Sequence, residues 1–313
     1  MNSKTSEDSG IDAAGPGAKL DARAARRAFD RAAGRSGGQW DLADKIAMRM
    51  AERLDYVRVE PTLIVDAGCG QSPAGILVKR FPAAQLTGID SSHAMAMAAR
   101  AGESLLSRAK RAMGIGSYRI VCGDLCALPI ADSSVDMVWS NLALAWASDV
   151  GLAFRECHRV LKDGGLLMFS SYGPDTLREL KAAFSGVDNR PHVHEFADMH
   201  DLGDCLVSSG FSDPVMDMDK VVYTYADVAP LVIELRRSGQ TNAMLDRRRG
   251  LGSRLAWNAM SAAYSRRPED GRIEATFEIV YGHAWKIGAK SRAGKSLNGV
   301  EKIQWFPDRG TKT

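Results

Sequence analysis

The chain has 313 residues, 45% of them hydrophobic and 25% charged, the balance of an ordinary globular protein with enough length for a substantial core. Its formal net charge of +3 gives no global field of the kind that selects nucleic acid, and no stretch reaches the roughly 18 apolar residues of a membrane span. The opening residues lack the apolar core of a secretory signal, and Glu7, Asp8 and Asp12 argue against a transit peptide.

Residues 1–19 are small, polar and contain Gly and Pro, so a disordered N-terminus is expected. Two helical patterns follow. "DARAARRAFDRAAG" places Ala and Phe on one face, and in "DLADKIAMRMAERLDYV" Leu42, Ile46, Met50 and Leu54 recur at every fourth residue. The period then changes. "TLIVDAG" is a strand and "PAGILVKRF" a helix opened by proline. "AQLTGID" is a second strand. "SHAMAMAARAGESLLSRAKRAM" is a long helix capped by Ser91 or Ser92. "SYRIVCGD" and "SVDMVWSNL" are the third and fourth strands. "DVGLAFRECHRVLKDGG" is a helix expected to end at Gly164 and Gly165, before a fifth strand, "GLLMFSSYG". Strands separated by helices specify βαβ units, hence a mainly parallel sheet with right-handed crossovers.

Beyond residue 173 the pattern is mixed. "PDTLRELKAAFSGV", "MHDLGDCLVSSGF" and "VAPLVIELRRSG" have helical spacing, and "VMDMDKVVYTYA" that of a strand. "TNAMLDRRRGLGSRLAWNAMSAAYSRR" is expected to be helical with a break near Gly250 to Ser253. In "EATFEIVYGHAWK", Phe277, Ile279 and Tyr281 alternate as in a strand. The tail from 288 to 313 is rich in Gly, Ser and Lys and is expected to be disordered. The five cysteines are an odd number with no CxxC pair, which argues against a disulfide framework or a zinc site and for reduced thiols in a cytoplasm.

The stretch "IVDAGCGQSPAG" joins the first strand to the helix after it. A phosphate-binding P-loop needs a Lys after its last glycine, and none follows Gly70. A dinucleotide fingerprint places a third glycine where helix and strand pack closely, and Pro73 stands there instead. The remaining form is the [DE]xGxGxG loop of S-adenosylmethionine (SAM) binders, here Asp66, Gly68 and Gly70, with Ser72 at the third glycine. Glycines at 68 and 70 would let the backbone approach a ligand with no Cβ in the way. Asp90 closes the second strand, where a carboxylate can accept from both hydroxyls of a ribose. Asp124 follows the third strand, where it would face an adenine edge. Taken singly, either acid could be a helix cap or a solvated charge. Both lie, like the glycine turn, just past a strand's carboxyl end, and the three together point to SAM.

From here the likeness is to more than a fold. "RRAFDRAA", "VDAGCG", "VWSNLALAW", "RVLKDGGLLMFSSYGPDTLREL", "HVHEFADMHDLGD" and "FEIVYGHAWK" run through most of residues 27–287. With these motifs the chain resembles the BioC family, the malonyl-carrier-protein O-methyltransferases of biotin synthesis. The resemblance implies a Rossmann-like class I methyltransferase domain over 20–287. Its seven-stranded, mostly parallel sheet would have helices on both faces, the late strand inserted antiparallel, and a helical lid at 227–268. It also implies methyl transfer from SAM to the free carboxylate of a malonyl group on acyl carrier protein. The expected cofactor contacts are Asp66, Gly68, Gly70, Asp90, Asp124 and Asn141. Two positions depart from the family pattern: Ser36 stands at the offset of a family Tyr, with Trp40 the nearest aromatic, and Glu195 stands where the family often has Arg. A SAM methyltransferase acting on another small molecule is one alternative. A second is a non-methylating assembly factor, similar to the complex I factors that hydroxylate arginine.

A carboxylate acceptor is already ionised at neutral pH, so no general base is expected. Asn141, Trp146, Tyr172 and His192 are candidates for the wall of the acceptor pocket. His192 and His194 form an HxH pair with no third ligand nearby, so no metal is expected. An acidic carrier protein calls for a basic dock, and the candidates are Arg236, Arg237, Arg247, Arg248, Arg249 and Arg254.

Overall fold

A computed structural model describes residues 20–35, 42–71, 75–102, 118–250 and 252–288. Seven strands form one sheet in the order β3-β2-β1-β4-β5-β7-β6. They are β1 Leu63–Ala67, β2 Gln85–Asp90, β3 Tyr118–Cys122, β4 Val135–Asn141, β5 Leu161–Tyr172, β6 Ser212–Tyr225 and β7 Ile273–Trp285. The first five pair in parallel, and β7 lies antiparallel between β5 and β6. The chain steps outward from β1 to β3 and then crosses back to β4. The crevice at this reversal, outside the carboxyl ends of β1 and β4, is where open α/β sheets bind ligands.

Nine helices of this fold can be placed among the described residues. Before the sheet come α1 Ala22–Ala32 and α2 Leu42–Arg53, and between the parallel strands lie α3 Gly75–Arg80, α4 His93–Ala101 and α5 Val150–Val160. After β5 come α6 Arg178–Phe184, α7 Met199–Ser208, α8 Val228–Arg237 and α9 Arg254–Ala263. The four-residue spacing of α2 has its expected consequence: Leu42, Ile46 and Met50 are all fully buried against one sheet face. Each such side chain contributes about 1.5–3 kcal/mol. On that face they meet Met137 and Trp139 of β4 and Leu166 and Met168 of β5. The alternate residues, Val138, Leu167 and Phe169, face the other side and pack against Phe154 and Cys157 of α5 and Leu206 of α7. Both faces are covered, so the central strands are continuous apolar runs.

Two sequence expectations change. The helix before β5 ends at Val160, not at Gly164 and Gly165. Leu161 turns extended (ψ 141°), is fully buried and pairs with Val135, so strand pairing overrides the glycine stop. Residues 241–249 are not helical. Leu20 bridges to Met244, and the Asp21 N–H donates to the Ala243 carbonyl (2.8 Å), which draws this stretch out along the N-terminal segment. The segment 227–268, expected as a lid, contains α8 and α9, and the described residues between them are irregular. Of the long helix expected from Ser92, His93–Ala101 is described, with Ser92 as its cap (Ser92 Oγ accepts from Met95 N–H, 3.1 Å). Residues 103–117 lie outside the described residues, as do 1–19, Ser36, Trp40, Ser72, Pro73 and the tail from 289.

Candidate active site

The glycine turn leaves β1 and bends over the end of β2. The N–H groups of Gly68 and Cys69 both donate to the Ile89 carbonyl, at 2.7 and 3.0 Å. Gly68 has φ +82°, and a Cβ there would lie 2.0 Å from the Cβ of Ala143 in the loop after β4. Gly68 is thus required by close packing of the protein on itself. Gly70 is different. Its φ is +60° and a Cβ would meet nothing within 4 Å, so its open side is the one that can face a ligand.

Asp90 sits beneath this opening. Its Oδ2 accepts from the Gly70 N–H (2.9 Å) and its Oδ1 from the Ser92 N–H (2.8 Å). Burial raises its carboxyl above the usual range against the lowering effect of those two bonds. Each oxygen keeps a lone pair, so the carboxylate can still accept from a diol. The Gly123 N–H donates to the Asp90 carbonyl (3.0 Å), which brings the end of β3 alongside. The half-buried Asp124 then folds into a local turn, accepting from the Cys126 N–H (2.9 Å). Asp66 is buried beneath the turn at 4% exposure. A glycine with an open face, an acid with spare acceptor capacity and a second acid beside it fit the ribose and adenine ends of SAM.

The loop after β4 joins this end to a cavity. Three residues beyond Ala143, Trp146 stands edge-on to Phe29 of α1 (5.2 Å between centroids) and to His194 (4.7 Å). Trp146, Tyr172 and His192 all line a cavity of about 570 Å³, within the roughly 300–1,000 Å³ of small-molecule sites. Tyr172 is 1% exposed, and its hydroxyl donates to Gln240 Oε1 (2.7 Å). His192 stacks on Phe184 (3.7 Å, 3° between planes), with Nε2 2.9 Å from Asp188. His194 accepts from the Ala243 N–H at Nε2 (2.8 Å), and burial lowers its pKa to about 4. It is therefore a neutral packing residue at neutral pH.

A methyltransferase-domain family model matches residues 65–169, which spans β1 to β5. Among solved structures, the YcgJ protein from Bacillus subtilis superposes with a TM-score of 0.54 at 14% identity, covering 78% of this chain and 99% of that one. Two curated relatives are much nearer in sequence. The malonyl-[acyl-carrier protein] O-methyltransferase of Laribacter hongkongensis is 44% identical over 90% of this chain and 95% of its own. The one from Gallionella capsiferriformans is 44% identical over 85% and 91%. The chain belongs to the malonyl-[acyl-carrier protein] O-methyltransferase family.

As a SAM-dependent methyltransferase of this family, the protein departs in places from what its sequence suggests. Asn141, expected at the cofactor or acceptor, makes one bond within the fold at each end of its amide, which leaves a second N–H and a second lone pair. Nδ2 donates to the Ala43 carbonyl (2.9 Å) and Oδ1 accepts from Ser170 Oγ (2.8 Å). The arginines do not form a single surface. Arg247 is 16% exposed, bonded to the Met244 carbonyl (2.6 Å) and to Asp21 (3.0 Å), so it ties the chain before α9 to the N-terminal segment. Arg236, Arg247 and Arg248 line the cavity, whereas Arg237, Arg249 and Arg254 are exposed away from its lining. Glu195, the acid that replaces a family Arg, is exposed and outside the cavity lining, so its charge does not oppose a carboxylate there. Sequence reasoning missed Asp30, whose Oδ1 accepts from Ser92 Oγ (2.6 Å), as well as Asp188 and Gln240. The partners of Asp30 and Gln240, Ser92 and Tyr172, are far away in the chain, whereas Asp188 bonds nearby Arg190 and His192 as well as distant Arg248.

Proposed function

We propose that this enzyme methylates the free carboxylate of malonyl-acyl carrier protein, in the biotin route that the resemblance implies. The observation that carries the reading is the 44% identity over 90% of the chain to a relative bearing that name. The cavity supports it. Ala143 packs against the glycine turn and Trp146, in the same loop, lines the cavity, so cofactor end and acceptor end are neighbours. In this reading the turn from Gly68 to Gly70, with Asp66, Asp90 and Asp124, holds the cofactor, and Trp146, Tyr172 and His192 form the acceptor wall. When bound, SAM supplies an electrophilic sulfonium methyl.

The chain's own contribution is position and dryness. Tyr172 cannot serve as a base, because burial raises its phenol and its proton is committed to Gln240. Neutral His194 already accepts a backbone N–H. Neither limits a carboxylate acceptor, which needs no deprotonation at neutral pH. The segment 227–268 acts as the substrate module within a catalytic domain of residues 20–287. The five free thiols agree with a cytoplasmic setting, and no described helix is long and apolar enough to cross a membrane. Rates with labelled SAM test the reading: malonyl-loaded carrier should accept methyl and acetyl-loaded carrier should not. Equal labelling of both would remove the free carboxylate from the account.

A further inference from the structure

The cavity has a charge order along its length. Its inner end is apolar and closed: Tyr172 and Phe277 are 1% and 0% exposed, and Trp146 leads on to the cofactor turn. Its outer end is open and cationic, with exposed Arg236 at the end of α8 and exposed Arg248 in the chain before α9. Three guanidinium groups line the cavity, but among the described residues only one carboxylate does, that of Asp188. Asp188 is heavily committed. It accepts from the Arg190 N–H (2.9 Å), pairs with His192 (2.9 Å) and lies 3.6 Å from Arg248. Arg247 is neutralised by Asp21. Arg236 has no ion-pair partner among the described residues. The rim therefore carries surplus positive charge over an apolar throat.

We propose that Arg236 and Arg248 hold the phosphate of a 4′-phosphopantetheine arm as it enters the cavity. The proposal rests on the carrier-protein reading above. Such an arm has an anion at its outer end, an amide and methyl shaft, and a thioester at its inner end, which is the same order as the cavity. Arginine presents a planar fork that matches phosphate, and charge-assisted bonds are roughly twice as strong as neutral ones. The malonyl carboxylate is the other anion that Arg236 could take. It must react at the inner end, beside Trp146, whereas Arg236 is exposed at the rim. A guanidinium on the attacking oxygens would also withdraw the lone pair that has to attack.

The test is calorimetric titration of the full chain, saturated with S-adenosylhomocysteine, using pantetheine, 4′-phosphopantetheine and coenzyme A. None of these carries a malonyl group, so the carboxylate does not enter the readout. The phosphorylated arm should bind at least about tenfold more tightly than pantetheine. Arg236→Gln and Arg248→Gln, checked for folding by thermal melting, should each remove most of that advantage and change pantetheine affinity little. Equal affinity of the two arms, no binding of either, or an advantage untouched in both variants would overturn the proposal. Coenzyme A binding no tighter than 4′-phosphopantetheine assigns the site to the carrier's arm. Markedly tighter coenzyme A binding would overturn that assignment in favour of the free coenzyme. Loss of the phosphate advantage leaves methyl transfer to malonyl carrier standing. Failure of methyl transfer, with the phosphate advantage intact, would instead remove the acceptor assignment.

Discussion

Asp90 and His194 show opposite uses of a buried titratable group. Asp90 is buried as an acceptor with two backbone donors in place and capacity to spare. Asp90→Ala should weaken SAM binding roughly 10- to 100-fold by calorimetry, since hydrogen bonds to a charged group contribute about 1.5–3 kcal/mol. An unchanged affinity in a folded variant would place the cofactor elsewhere. His194 is buried as a neutral ring. Its folded pKa, about 4, lies below the unfolded value of 6.5, so its contribution to stability is present above pH 6.5 and is lost as pH falls towards 4. The His194→Gln variant should lack this sensitivity, so the gap in melting temperature between wild type and variant should shift in the variant's favour from pH 7 to pH 5. A gap independent of pH would contradict the neutral-ring account. Residues of this kind differ in how legible they are. Gly70 and Asp90 follow from a short motif because their jobs are local. The structural role of Asn141 does not, because its partners, Ala43 and Ser170, come from α2 and β5.

At the level of elements, strands were legible wherever an apolar run lay between turns, and the antiparallel insertion of β7 came from resemblance alone. The misreadings lie where a distant segment takes over. Met244 and Ala243 are buried by the N-terminal segment, so a sequence with helical composition is pulled into extended chain. Leu161 similarly joins Val135 and leaves its helix. Asp136, at the start of β4, shows how neighbouring strands are fastened. Its Oδ2 accepts from the N–H groups of Thr62 and Leu63 (2.9 Å each) at the start of β1, and its Oδ1 from Lys162 of β5 (2.6 Å). Burial pushes its pKa up, but these bonds outweigh that and lower it to about 2. Its stabilisation is therefore present above the unfolded value near 3.9 and is lost as pH falls through about 2. Asp136→Asn should cost about 1–3 kcal/mol at pH 7 by denaturant unfolding, and the difference should shrink below pH 4. A constant difference across that range would show that the charge is not what fastens the strands.

Over the whole molecule, α1 connects the two ends of the site. Asp30 holds the cap of α4 near Asp90, Phe29 stands against Trp146, and Asp21 caps α1 while pairing with Arg247 in the chain between α8 and α9. The basic surface expected from the sequence thus separates into parts: an anchor at Arg247, a cavity rim at Arg236 and Arg248, and outward charges at Arg237, Arg249 and Arg254. An acidic carrier would meet the outward charges. Reversing Arg249 and Arg254 together should raise the apparent KM for the carrier several-fold, most strongly at low salt, and leave SAM affinity unchanged. A KM insensitive to both changes would move the dock elsewhere. The central claim is that one continuous site brings the methyl of SAM to a free malonyl carboxylate. The most direct measurement is mass spectrometry of malonyl-loaded carrier protein after incubation with the enzyme and SAM bearing a deuterated methyl. The account predicts a single deuterated methyl ester on the malonyl group. Deuterated methyl on a carrier side chain, or none under conditions where SAM is bound, would contradict it.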